Sequence, residues 1–414
     1  MTSLVDVLDR IPAEGRIIAG AQCGGPTSLL REVAQRSSGR GWLLCTGLLL
    51  DDGGVYEAVR SGELNLSTWH VTGGCRDLVE EGLVDYLPVR ASQLEKLIAA
   101  WDVDAAIVRV TPPDSDGWCS LGPSAGYAST AIKSARLCIG EVDETLPRTC
   151  GQTSVHASAF DALVASTTPT PMYSASLADH VNTVIARHVV ALLPNRPVLQ
   201  LGIGAVPEAI VGVLVDERVD GLRFVGMGTD AMVDLFECGL LDDRRPAIES
   251  PDLMGTQKLL RFAHENSVVG VFPSSVAHSP RLLARHERLV SVNSAIEIDL
   301  SGQVNSEVVG GRQVSGIGGS LDFVEAATVS VGGMRIVALP STTRDGSHSR
   351  IVPLLGSNAA VTIPRAMVDV VVTEHGVARL AGKTIRQRAE ALIEVAAPQH
   401  RRALGEAMCR PVRT

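Results

Sequence analysis

The chain is short of aromatic residues, paired cysteines, long apolar runs and positive charge, and each shortage removes a class of function. Aromatics make up 3% of its 414 residues against 45% hydrophobic residues overall, so the interior is built from Val, Leu, Ile and Ala. That is the composition of buried parallel strands under packed helices. A formal charge of -9 argues against a nucleic-acid surface, which needs clustered cations and stacking aromatics. The arginines near the C-terminus (Arg401, Arg402, Arg410, Arg413) are the local exception and fit a solvated helix end. Eight cysteines (Cys23, Cys45, Cys75, Cys119, Cys138, Cys150, Cys238, Cys409) form no C-x-x-C pair and read as reduced, cytosolic thiols. The N-terminus MTSLVDVLDRIPAEGR has no signal-like apolar run, and no stretch reaches the roughly 18 apolar residues of a membrane span. The expectation is a soluble, cytoplasmic protein. His180 with His188, and His278 with His286, stand eight apart without ligand spacing, so neither a metal nor a bound cofactor is expected.

What is present is an alternation of short apolar runs and helical periods. The length points to two domains. Strands are predicted at Arg16–Ala21, Gly41–Leu50, Leu66–Val71, Ala105–Val110 and Leu137–Val142. After the Pro-rich TTPTPM segment the layout repeats, with strands at Pro197–Leu201, Leu222–Gly226, Val268–Phe272, Arg335–Leu339 and Val368–Thr373, and a closing helix over Thr384–Val395. The class is α/β, with domains at 1–175 and 176–414.

Two glycine stretches stand out. Residues 292–323, VNSAIEIDLSGQVNSEVVGGRQVSGIGGSLDF, read as a buried strand over Ser291–Leu300, a turn at Ser301-Gly302-Gln303, and then Gly316-Ile317-Gly318-Gly319-Ser320. A row of N–H groups with little Cβ in the way is either an anion-binding nest of the oxyanion-hole kind or simply a tight loop. Leu199–Glu208 places Gly202 and Gly204 between a strand end and a helix start, where backbone amides can approach a phosphate or a narrow ligand arm. It is not a dinucleotide fingerprint, because Pro207 stands where the third glycine belongs. Asp114 with Asp116, and Glu374 with His375, are acid–base pairs on loops that also suit turn formation.

In collinear motifs the chain resembles the single-chain acetyl-CoA hydrolase/transferase family, which includes 4-hydroxybutyrate, butyrate and succinyl-CoA:acetate CoA-transferases. The motifs are Gly20–Pro26, VTPPDSDGWCSLG at 110–122, QLGIGAVP at 200–207, VNSAIEIDLSGQVNSE at 292–307, GIGGSLDFV at 316–324, ALPST at 338–342, and residues 371–401. The resemblance implies two open α/β domains of the CoA-transferase fold with the active site at their interface, usually in a homodimer. It implies an acyl-CoA and a small acceptor as substrates, with no other cofactor. It further implies that Gly202 and Gly204 line the acyl-CoA site and that Gly319 donates to the thioester oxygen; Gln200, Ile203, Ala205, Gly316 and Ile317 are expected beside them, with Gly318 as a second donor.

One departure bears on mechanism. CoA-transferring members carry a nucleophilic glutamate shortly after the GIG turn, and Asp234-Leu235-Phe236-Glu237-Cys238-Gly239 fixes the register so that this position is Gly226. Glycine has no group to attack a thioester. Gly25 likewise stands where an acidic residue is common, and Thr343–Ser347 replaces a lysine-bearing segment. Three readings follow: hydrolysis or another transfer with Glu297, Glu374 or His375 activating the nucleophile; transfer through a different carboxylate; or CoA-ester binding without catalysis.

Overall fold

The computed structural model describes residues 7–408, so Cys409, Arg410 and Arg413 lie outside the described residues. Two compact units are present. Unit 1 runs through residue 174 and takes back Gly226–Val233 and Arg244–Ser279; unit 2 consists of Ala175–Val225, Asp234–Asp243 and the chain from Pro280 onward.

Unit 1 is organised on strands β1 (Arg16–Ala19), β2 (Leu43–Thr46), β3 (Asn65–Thr68), β4 (Val84–Tyr86), β5 (Val103–Val110), β6 (Ala135–Val142) and β7 (Ala162–Ala165), in the spatial order β7-β6-β5-β1-β2-β3-β4. Every neighbouring pair is parallel. Alternate residues of one strand enter different cores. Ile17, Ala105 and Ile107 pack with helix α1 (Thr27–Arg36), while Ile18, Ala106 and Val108 pack with helix α2 (Ala91–Ala100). Burial on both faces is why these strands read as continuous apolar runs instead of alternating ones. Three short parallel strands, Ile248–Ser250, Val269–Val271 and Cys150–Gly151, also belong to this unit.

Unit 2 carries β8 (Val198–Leu201), β9 (Arg223–Gly226, whose last residue is counted with unit 1), β10 (Leu289–Asn293), β11 (Met334–Ala338), β12 (Val370–Thr373) and β13 (Gly376–Arg379). Their order is β13-β12-β11-β10-β8-β9. Strands β8, β10, β11 and β12 are parallel and β13 runs back against β12. Helices α3 (His180–Val190), α4 (Ala205–Asp216), α5 (Ser320–Val329), α6 (Ile385–Glu394) and α7 (Pro398–Met408) complete the layers. A reciprocal cap between Thr384 and Gln387 starts α6, so its basic first turn does not prevent a defined beginning.

The single strand expected over Ser291–Leu300 is divided. β10 ends at Asn293, and Glu297–Asp299 pairs instead with Val304–Asn305 and Ile351–Val352 in a separate three-stranded layer. The turn after it is as expected: the Asp299 carboxylate accepts from the Ser301 and Gln303 amides, and Gly302 takes a φ of 98°. Ile298 anchors this layer to a core with Val304, Ile351 and Ile363. Continuous apolar character hid the break, because both pieces are buried.

Candidate active site

In an open parallel α/β sheet, ligands bind beyond the carboxyl ends of the strands. Four segments leave that edge in unit 2: Gly202-Ile203-Gly204 after β8, Ser294 to Glu297 after β10, Leu339 to Ser341 after β11, and Glu374-His375 after β12. Helix α5 precedes β11 and packs on it, so the Gly316–Gly319 loop at its N-terminus belongs to the same edge. The structure thereby groups most residues that the sequence singled out, within one unit.

The GIG turn is built for close approach. Gly204 caps α4 with a φ of 121°, a conformation that side chains resist, and a Cβ added at Gly202 or Gly204 would meet nothing within 4 Å. Packing does not require glycine at 202; the space beside it is open. Ile203 and Ala205 complete this strand-to-helix passage. Gln200 was expected to touch substrate, yet it is buried in the sheet. Its amide oxygen accepts from Ser291 Oγ at 2.8 Å and Asn293 Nδ2 at 3.3 Å, pinning β8 to β10 beneath the loops. The second glycine loop has Gly318 at a φ of 56° and Gly319 as the cap of α5. The Gly319 carbonyl accepts from the Asp322 and Phe323 amides, and Ser320 Oγ donates to the Ile317 carbonyl at 2.9 Å, while Gly316 opens the loop.

The acid–base candidates separate from one another. Glu374 is tied on both oxygens, to the Ser341 amide at 2.9 Å and the Ser341 hydroxyl at 2.6 Å. His375 Nε2 lies 3.6 Å from the same carboxylate and the ring is partly exposed. Burial pulls the pKa of Arg350 down, and the charge of Glu374 works against that. Glu297 instead accepts from Asn305 Nδ2 at 3.0 Å and lines a cavity of about 300 Å³ with Val308, Gly310, Gly311 and the 356–359 turn. Neither Glu374, His375 nor Gly316–Gly319 is among that cavity's lining residues. Asp114 accepts from the Asp116 and Trp118 amides, which makes it a turn former.

Unit 1 holds a cluster that the sequence did not disclose. Gly226 ends β9 at a φ of 97°, and two residues on, the Gly228 amide donates to Ser250 Oγ at 3.1 Å and the Asp252 carbonyl at 3.3 Å. Ser124 Oγ donates to Asp252 Oδ1. With its amide nitrogen turned toward the carboxylate, Gln22 donates to Oδ1 at 2.8 Å and Oδ2 at 3.0 Å. Burial pushes the Asp252 carboxyl up to about 6, against the opposing pull of those two donors. Gly122-Pro123-Ser124-Ala125-Gly126 has the G-x-S-x-G spacing, between the strand Trp118–Ser120 and the helix Ala128–Ser134, which corrects the expectation from sequence that no such motif is present. It does not build a serine-hydrolase elbow. The Ala125 amide, which such an elbow offers to an oxyanion, donates to the Pro251 carbonyl, and the partner of Ser124 is a carboxylate in place of an imidazole. Only a long-range pairing reveals this cluster, and Pro251-Asp252 by itself reads as an ordinary turn.

Among the described residues no group of three or more His, Cys, Asp or Glu could hold a metal ion, no helix is long and apolar enough to cross a membrane, and the cysteines are free. Residues 60–173 match the acetyl-CoA hydrolase/transferase N-terminal domain and residues 255–408 the C-terminal domain. The chain is 38% identical over 340 residues to the 4-hydroxybutyrate coenzyme A transferase of Clostridium kluyveri, covering 80% of this chain and 79% of that one. It is 37% identical over 355 residues to a succinyl-CoA:acetate/propanoyl-CoA:succinate CoA transferase of Fasciola hepatica, covering 82% and 73%. The crystal structure of RipA from Yersinia pestis matches with a TM-score of 0.91 at 29% identity, over 98% of this chain and 96% of that one. Two domain models in the right order, relatives of this identity and a full-length structural match together assign the chain: it belongs to the acetyl-CoA hydrolase/CoA-transferase family.

Proposed function

We propose that the protein acts on the thioester of a small acyl-CoA and that water, in place of a protein glutamate, attacks the thioester, so that the reaction is hydrolysis. The observation that carries this reading is Gly226: at the position where the resemblance puts the nucleophile, β9 ends in a residue without a side chain. Two features support retained binding of the CoA ester. Gly202 and Gly204 face open space at a strand-to-helix turn, and Gly318 with Gly319 begins α5, where backbone amides and the helix dipole favour developing negative charge. Hydrolysis needs those donors and a base, but no covalent enzyme intermediate. Glu374 serves this reading as a strut for the Ser341 turn, since both of its oxygens are taken.

A specific observation favours a second reading, transfer of CoA through a different carboxylate. Glu297 is held through one oxygen by Asn305 and faces a cavity of about 300 Å³.

Purified protein mixed with acetyl-, butyryl- and succinyl-CoA, with and without a carboxylate acceptor and followed by mass spectrometry, separates the two. Free CoA released without acceptor supports hydrolysis. New acyl-CoA formed only with acceptor supports transfer. Bound but unchanged CoA ester contradicts both and leaves a binding protein.

A further inference from the structure

We propose that the cavity beside Glu297 binds a primary ammonium group carried on a short alkyl stem, with the Glu297 carboxylate as its counter-ion. The site lies wholly within unit 2 and needs neither reading of the thioester reaction.

The cavity, of about 300 Å³, is lined by Glu297, by Val308, Gly310 and Gly311 of a hairpin, and by the 356–359 turn. That volume stands at the lower end of the range for small-molecule sites. The lining is held by the chain's own bonding. The hairpin pairs Val308 with Gln313 and Val309 with Arg312. Gly310 and Gly311 turn it at φ values of 58° and 86°, the two successive left-handed residues that a tight two-residue turn requires. Glu307, buried at the entry to the hairpin, accepts from Thr362 Oγ1 at 2.8 Å. The Ala359 amide donates to the Gly356 carbonyl and closes the other turn. A Cβ at Gly311 would lie 3.5 Å from Asn358 Nδ2, so hairpin and turn approach closely there.

Into this lining Glu297 brings a charge that no described residue neutralises. Its cross-strand neighbour Asn305 is fully buried and has every hydrogen-bonding group engaged. Asn305 Nδ2 donates to Glu297 Oε1 at 3.0 Å and to the Val308 carbonyl at 2.7 Å. Its Oδ1 accepts from the Glu307 and Val308 amides at 3.1 and 3.0 Å. Asn305 therefore fixes one oxygen of Glu297 and has no donor left for the other. Glu297 Oε2 has no partner among the described residues, and no Lys, Arg or His lines the cavity. A half-buried carboxylate in this state is solvated by water on its free side. An ammonium replaces that water with a charge-assisted hydrogen bond, roughly twice as strong as a neutral one.

The lining selects the head group. An ammonium brings three N–H donors, and the lining offers three acceptors: the free Glu297 oxygen, the Ser357 hydroxyl and the Asn358 amide oxygen. Neither Ser357 nor Asn358 uses its side chain on another described residue. A metal ion would find too few ligands, since no group of three or more His, Cys, Asp or Glu is present among the described residues. A carboxylate or phosphate would meet a like charge and no cation. Val308 and Ala359 supply apolar surface for a short alkyl stem, and Gly310, Gly311 and Gly356 leave room for it.

Calorimetry on the full chain with n-butylammonium, n-butanol and butyrate at millimolar concentration tests this, because the three share a stem and differ in head group. Butylammonium is expected to bind, butanol about 10-fold more weakly or worse, and butyrate not at all. Glu297→Gln keeps an oxygen for Asn305 and removes the charge, so butylammonium binding should fall by about 10-fold or more. Gly356→Leu adds a side chain where a Cβ meets nothing within 4 Å, and should block the cavity while leaving Glu297 in place. Thermal midpoints verify that both variants fold; if Glu297→Gln does not, the wild-type head-group order and Gly356→Leu still decide. No butylammonium binding by wild type, or equal binding of butylammonium and butanol, would overturn the proposal. So would undiminished binding in folded Glu297→Gln or Gly356→Leu. Displacement of butylammonium by equimolar Mg²⁺ or Ca²⁺ would make the site one for a metal ion, and would overturn it as well.

Discussion

Unit 1 contains two carboxylate clusters that touch the same turn, residues 22–25, and they are compensated in opposite ways. In the first, Arg109 is fully buried and pairs with Glu141 at 2.8 Å and Asp143 at 2.6 Å, while its Nε donates to the Gly25 carbonyl at 2.9 Å. Burial alone would raise the pKa of Asp143, but hydrogen bonds from Thr170, Thr145 and Arg109 outweigh it and hold the carboxyl below its usual value. In the second, the donors to the Asp252 carboxylate among the described residues are the neutral Ser124 and Gln22, and burial wins. A buried carboxylate matched by a cation is fixed in its charged form and holds structure, whereas one left to neutral donors can gain and lose a proton where enzymes work.

The contrast can be broken by removing the cation. Arg109→Leu leaves Glu141 and Asp143 buried without a cation, with only neutral donors, and should cost about 3–5 kcal/mol of stability. Denaturant unfolding checks this, and a near-neutral result would mean that the cluster does not hold the Gly25 turn. A smaller effect is expected for Gly226→Glu. A side chain at a φ of 97° is strained, so stability should fall by about 1–2 kcal/mol, while CoA transfer to an added carboxylate should appear. Isotope exchange between acyl-CoA and the free acid reads it, with Met227→Glu as the register control, since a one-residue shift turns the side chain to the other face. No exchange from either variant, with CoA-ester binding intact, would show that the surroundings of position 226 no longer accommodate a nucleophile.

The slightest effect sharpens the comparison most. Asp143, lowered in the folded protein, contributes stability above the ordinary Asp range that is lost as pH falls through it. Asp252, raised from 3.8 to about 6, works the other way: the folded protein keeps a proton that the unfolded chain has released, so stability falls as pH rises from about 4 to 6. Thermal midpoints across that range should therefore drop less in Asp252→Asn than in wild type. Equal drops would place the Asp252 pKa in its usual range.

Much of the scaffold was legible in the sequence because its signals are local. The closing helix, Ile385–Glu394 with Thr384 as its cap, and the strand ending at Gly226 stand where periodicity and turn residues put them. The glycine turns at 202–204 and 316–319 were visible for the same reason. Pairings between distant residues were not. Ser341 immobilises Glu374 across 33 positions, and Ser124 meets Asp252 across 128, so sequence spacing gave no cue to either. For Gln200 the position at a strand end was legible, while its partners Ser291 and Asn293, on another strand, were not.

The central claim is that the thioester is attacked by water and that no enzyme–CoA thioester forms. Single-turnover reaction with butyryl-CoA in ¹⁸O-labelled water, followed by mass spectrometry of both product acid and digested protein, tests it directly. The account predicts one solvent oxygen in butyrate and no borohydride-reducible thioester on any peptide. A CoA thioester on Glu297, Glu374 or Asp252, or solvent label appearing in a protein carboxylate, would contradict it.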